Sequence, residues 1–269
     1  MKTSYHLLYL IALSALFTNV SLEAQQMPRM YFVGSQKQEV SFSQFSATAY
    51  PEFLTIFAAS SQHSAVQNVS FVVKNRSSKS IIGLAFKYKI IDFNAHETPY
   101  TLKTHSYLSS SASPMMEPGE QMLVSPDSFI SESLIRPGHG IAGTVPRAQT
   151  IAKFSNASEI YVSIDAVIFD DGEVTGPNEL QLAQAMQDLK YAADVIQRQV
   201  NASRPAHQDP RDSIVQLQAT PHLAGDPVAK HISHLSRLLL STKDFEFTFD
   251  YIKKIQSQPT LFRKDGLPL

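Results

Sequence analysis

The sequence predicts an α+β protein: an antiparallel β-sandwich over residues 50–176, followed by a C-terminal helical segment over 177–256. Three observations carry this. Short runs of alternating apolar residues, separated by polar turns, fill the middle of the chain, as in a sandwich. The stretch Glu159 to Val200 then passes from strand through an acidic turn into one long amphipathic helix. After it, apolar residues recur at helical spacing.

Residues 1–24 read as a secretory signal peptide: Lys2 gives a positive start, Leu7 to Phe17 is an apolar run too short to span a bilayer, and Ala24 offers a small residue at the cut. The mature chain is expected to begin near Gln25 and to be periplasmic or secreted. No later apolar run is long enough for a membrane span. Residues 25–49 are polar with scattered aromatics and are expected to form a loosely docked leader, and 257–269 a frayed tail.

The strands follow in order. Phe53 to Phe57 and Val66 to Lys74 are the first two, the second with Val69, Phe71 and Val73 on one face. Asn75 to Ser80 is a turn whose Asn and Ser side chains satisfy its backbone. Ile81 to Phe93 is a long strand, with Ile82, Leu84, Phe86, Tyr88 and Ile90 sharing a face. Leu102 to Leu108, Gln121 to Ser125 and Ala148 to Phe154 are further candidates. Tyr161 to Phe169 places Val162, Ile164, Ala166 and Ile168 on one face. Both of its faces carry apolar residues, so it belongs at the centre of a sheet packed on two sides. Asp171-Gly172 favours a two-residue hairpin, with Val174 and Thr175 as a short return.

Pro177 suits a first helical turn. Leu182, Met186, Leu189, Ala193, Ile196 and Val200 then form one stripe. A linker from Asn201 to Arg211 and a short element at Ile214 to Gln218 follow. Asp226-Pro227 starts a helix to about Leu240, with Val228, Ile232, Leu235 and Leu239 in line. Asp244 to Ile255 reads as a last helix.

The 269 residues carry 43% hydrophobic side chains and a net charge of −1. That balance gives no electrostatic footprint for nucleic acid or anionic lipid. The chain has no cysteine, which excludes disulfides, a thiol nucleophile, cysteine metal sites and a lipoprotein anchor.

The signal peptide, "VKNRSSKSIIGLAFKY", "IYVSIDAVIFDDGEVTG" and the long helix that follows together resemble uncharacterised exported bacterial proteins with an immunoglobulin-like β-sandwich. The resemblance covers roughly residues 50–200. It implies an immunoglobulin-like fold and an exported location, and brings no catalytic residues. The core tryptophan and cysteine pair of antibody domains are absent.

Several constellations suggest chemistry. Gly138-His139-Gly140-Ile141-Ala142-Gly143 has the letters of a dinucleotide loop, but Pro146 follows where a helix would have to begin. His231 and His234 share a helix face, and with His222 and Asp226 upstream they are candidate zinc ligands. Asp170, Asp171 and Glu173 invite calcium or paired-carboxylate readings, although three acids on one hairpin do not flank a substrate from two sides. Asn68, Asn75, Asn156 and Asn201 each open an N-x-S sequon, read here as Asn and Ser sharing turns. His105 and His139 look isolated. No serine-nucleophile elbow is present. The expected function is an exported, non-enzymatic binding or interaction protein, with an envelope protein or glycan as partner, no cofactor and no catalytic residue. The alternative is an envelope or carbohydrate-directed hydrolase using the metal or carboxylate site. A third reading, a carbohydrate-binding sandwich, needs an aromatic platform, for which Tyr88, Tyr100 and Tyr107 are the suggestive set.

Overall fold

The computed structural model describes residues 28–34, 39–53, 63–108, 114–126, 128–131, 148–205, 208–219, 226–263 and 269. In chain order the strands are β1 (Arg29–Val33), β2 (Val40–Gln44), β3 (Phe71–Asn75), β4 (Ile81–Asp92), β5 (Glu97–His105), β6 (Gln121–Ser125), β7 (Ser128–Ser131), β8 (Ala157–Phe169) and β9 (Val174–Thr175). The helices are α1 (His63–Asn68), α2 (Ala148–Ser155), α3 (Leu182–Ser203), α4 (Pro210–Ala219), α5 (Pro227–Ser241) and α6 (Phe245–Gln256). The protein is therefore α+β, with its longest helices C-terminal.

Two sheets form. The first has the order β1-β8-β4-β5, with β9 also paired to β8, and the second has the order β2-β3-β6-β7. The second is antiparallel throughout. The first is mixed, because β1 runs parallel to β8, with Tyr31 opposite Tyr161 and Val33 opposite Ser163. This corrects the expectation of a purely antiparallel arrangement and of a loose leader. Without β1, that edge of β8 would carry unpaired N–H and C=O groups. β2 pairs with β3, so both strands of the supposed leader are built into sheets.

The sheets face each other across one apolar layer, to which β3 and β6 contribute Phe71, Val73, Met122 and Val124, and β4 and β8 contribute Leu84, Phe86, Ile90, Ile160 and Val162. Phe71 and Phe86 meet edge to face with centroids 5.5 Å apart. The other face of the first sheet supports a second layer, in which Ile82, Ala85, Ala166 and Ile168 pack against Ala183, Met186, Leu189, Ala193 and Ile196 of α3, with Leu235, Phe249 and Ile252 behind. Each fully buried aliphatic side chain contributes on the order of 1.5–3 kcal/mol.

Strict alternation fails at three register shifts against β8, between Ile81 and Gly83, between Ala85 and Phe86, and between Ile91 and Asp92. Ile82 is the extra residue at the first, Asp165 at the second and Ser158 at the third. Ile82 therefore turns to the helices, away from Leu84, Phe86, Tyr88 and Ile90, and Ala166 and Ile168 leave the face of Val162. A bulge inserts one residue and reverses every later side chain. Gly83 sits close against α3: a Cβ there would lie 3.1 Å from Met186 Sδ.

The α3 stripe from Leu182 to Val200 is buried as its spacing predicts. The helix starts at Leu182 rather than at Pro177, because the intervening turn is held by Asp165 of β8, which accepts from the N–H groups of Asn178, Glu179 and Leu180. Asn178 Oδ1 accepts from the Ala183 N–H at 3.1 Å. Asp226 caps α5 by accepting from the Val228 N–H, with Pro227 following it, and Asp244 caps α6 by accepting from the Phe247 N–H. The element at 210–219 is helical.

Three strand expectations are corrected. Val66 to Asn68 belong to α1, and β3 begins at Phe71. Ala148 to Phe154 form α2, in keeping with the helical preference of Ala152 and Lys153, and Phe154 packs edge to face on Tyr88 and Tyr100. β5 begins at Glu97 and ends before a 3-10 turn at Ser106–Leu108. The expected strand at 53–57 lies outside the described residues except for Phe53, which is buried in a 3-10 turn. The tail is also docked: Leu261 is buried, and Phe262 exchanges backbone hydrogen bonds with Gly172 and Val174.

Candidate functional site

The outward side chains of the first sheet form cross-strand rows. One row reads Tyr31, Tyr161, Lys89, Pro99 across β1, β8, β4 and β5, and the next reads Val33, Ser163, Lys87, Thr101. Beyond the bulge at Asp165 come Ala166, Ala85 and Lys103, and then Ile168, Gly83 and His105. Small or aliphatic residues dominate these last rows, and there the helices lie on the sheet. The first two rows stay uncovered. All of their residues except Tyr31 line a trough of about 410 Å³, with Leu180 on its helical side. A second hollow of about 860 Å³ adjoins it through Val33, Lys87 and Ser163, reaching Thr175 and Arg263.

The border is chemically specialised. Asp165 is fully buried. Its carboxylate accepts from the N–H groups of Glu179 at 3.0 Å and Leu180 at 2.8 Å, and lies 3.2 Å from Lys87 Nζ. Burial pulls the Lys87 ammonium down, but hydrogen bonds to Glu179 and Asp165 overcome this and leave its pKa raised. Lys103 Nζ donates to the Leu180 carbonyl at 3.4 Å. In the open half, Lys89 pairs with Glu97 and lies over the Tyr161 ring. The same ring stacks on Tyr31 with centroids 4.8 Å apart, and the Tyr161 hydroxyl donates to Glu159 at 2.8 Å. Ion pairs join Lys87 to Asp165 and Glu179 and Lys89 to Glu97, Arg29 is the register partner of Glu159, and Lys103 reaches the Leu180 carbonyl. The floor is apolar and the surroundings are charge-compensated.

The tyrosines expected to make a platform do not share a surface. Tyr88 is buried between the sheets, where Tyr100 packs against it, and Tyr107 is buried under the helices. The pair on the outward face is Tyr31, which is exposed, and Tyr161, which is half-buried. Tyr161 is legible as an outward position of an alternating strand. Its partner is not, because β1 and β8 are far apart in sequence and pair in parallel.

His231 and His234 both lie on α5, the first half-buried and the second exposed, while His222 falls outside the described residues. Among the described residues, no group of three or more His, Asp or Glu side chains is placed to hold a metal ion. The acidic hairpin is an ion-pair site: Lys79 reaches both Asp171 and Glu173, and these hydrogen bonds raise its pKa. Gly172, at φ +92, lets the docked tail approach, since a Cβ there would lie 2.3 Å from the Thr260 carbonyl oxygen. Residues 138–143 and His139 lie outside the described residues. Asn75 is fully buried, and its side-chain amide donates to the carbonyls of Lys79, Met116 and Glu117. That sequon is a turn lock, with no room for a glycan in the fold. Asn156 and Asn201 are exposed.

His105 is not isolated, contrary to the expectation from sequence. It ends β5 beneath the helices, packs edge to face on Tyr107 at 5.6 Å, and its Nδ1 is buried without a hydrogen-bond partner among the described residues.

No protein-family model, curated protein or solved structure matches this chain. Among the described residues, no helix is long and apolar enough to cross a membrane.

Proposed function

We propose that the chain is an exported, non-enzymatic binding protein with an immunoglobulin-like sandwich. In this reading the open half of the first sheet holds a neutral, hydroxylated ligand, a glycan, and the helices brace the same sheet from its other half. Export rests on the apolar run from Leu7 to Phe17 behind Lys2.

The observation that carries the binding reading is the trough of about 410 Å³ floored by Tyr161, Val33 and Pro99. An apolar floor favours a ligand with C–H faces. Internally matched charges favour a neutral ligand over a polyanion, because a phosphate or nucleic acid is recognised by uncompensated cations. Thr101 and Ser163 supply hydroxyls that can both donate and accept. No catalytic role is taken from Asp171 or Glu173, which Lys79 already holds.

A saccharide array probed with the mature chain and with Tyr161→Ala tests this. The wild type is expected to retain at least one saccharide, and the variant to bind it about tenfold more weakly or worse, a loss of roughly 1.4 kcal/mol. Retention of no saccharide, or equal retention by both, would overturn the reading. So would a protein partner lost on substitution of the helices but not of Tyr161.

A further inference from the structure

The corner where β5 meets α5 and α6 has an unusual composition. It lies in the apolar layer that holds the helices to the sheet, and Tyr107 belongs to the same buried cluster as Ile232, Leu235 and Phe249. Yet it contains His105 with a buried Nδ1 that has no partner among the described residues, and Tyr107, whose hydroxyl likewise has none among them. Tyr251 of α6 closes the corner by donating its hydroxyl to the Tyr107 carbonyl. A neutral imidazole fits here at modest cost. A charged one has no acceptor among the described residues for its Nδ1 proton.

We propose that docking of the helical layer on the sheet is acid-sensitive, and that protonation of His105 and His231, brought together by β5 and α5, releases this corner. The surroundings are weighted against positive charge. Burial comes first, followed by the charges of His231 and Lys103, and together they hold His105 down to about 4. Burial also lowers His231, whose neighbour His234 adds to the effect while Asp188 of α3 opposes it. The groups facing the pair are thus Lys103 from β5, Tyr107 from the turn after it, Asp188 from α3, His234 from α5 and Tyr251 from α6. The carboxylate of this set is Asp188, and it acts on His231. Acidification therefore drives two like charges into one apolar corner. The element free to leave is the helical one, since β5 is locked to β4 along its whole length.

Hydrogen exchange followed by mass spectrometry, corrected for the intrinsic pH dependence of exchange, reads this directly on the mature chain. Between pH 7 and pH 4.5, α5 amides are expected to lose about tenfold more protection than β8 amides, in the range of local opening that such layers show. In His105→Phe the excess loss is expected to vanish. An equal loss in His105→Phe, or unchanged α5 protection down to pH 4.5, would overturn the proposal. Should that variant fail to fold, His231→Gln decides: removing the like charge should raise the His105 titration midpoint seen by NMR, and an unmoved midpoint would refute the pairing.

Discussion

The two halves of one sheet face, built from the same strands, have opposite fates. On one side of Asp165 the outward residues are Ala85, Gly83, Ala166 and Ile168, and α3 lies directly on them. On the other side they are Tyr161, Lys89, Lys87 and Thr101, and no described helix covers them. Side-chain size makes the difference. A helix reaches a sheet only where short residues let its own side chains interdigitate, and Gly83 sits close against α3. Long cations with their carboxylates keep the other half open. Asp165 is the divider: the bulge there turns Ala166 and Ile168 to the helices, while the Asp165 carboxylate, on the same face, holds the first residues of the turn before α3.

Substitutions on the two sides should therefore differ in kind. The largest effect is expected in the covered half. Ile168→Ala removes a fully buried side chain between sheet and helices and should lower stability by about 3 kcal/mol in urea unfolding. A cost below about 1 kcal/mol would mean that the helical layer is only loosely applied. At the divider, Asp165→Ala leaves two N–H groups unpaired and Lys87 with Glu179 as its remaining carboxylate. Lys87 is partly solvated, so about 2 kcal/mol is expected, with exchange of the Glu179 and Leu180 amides accelerated. The smallest effect belongs to the open half. Lys89→Ala breaks an exposed ion pair and should shift stability by no more than about 0.5 kcal/mol. A larger loss would show that the open rows carry the fold rather than serve binding.

Sequence reasoning reached the local features because local chemistry sets them. The α3 stripe, the Asp226 and Asp244 caps and the Asp171-Gly172 turn each depend on residues a few positions apart. The bulges were not legible, since Ile82 and Asp165 look like ordinary members of alternating runs and only pairing with the neighbouring strand reveals the extra residue. Nor was the parallel β1, whose partner lies across most of the chain. The site inherits both gaps. Its Tyr31–Tyr161 stack depends on non-local pairing, and its border depends on a bulge. Lys79 shows the same limit: nothing near it in sequence announces that it will neutralise the hairpin at Asp171 and Glu173. His105 looked isolated because α5 arrives from far along the chain.

The absence of cysteine makes the central claim open to one clean measurement. Single-cysteine variants Thr101→Cys and Ala85→Cys place a thiol on each side of the divide, in neighbouring rows of the same sheet face. A maleimide should label Thr101→Cys within about tenfold of the rate for a free thiol. It should label Ala85→Cys at least about a thousandfold more slowly, limited by opening of the helical layer. Comparable rates at the two positions, or a protected thiol at position 101, would contradict the division of this sheet into a braced half and an open, binding half.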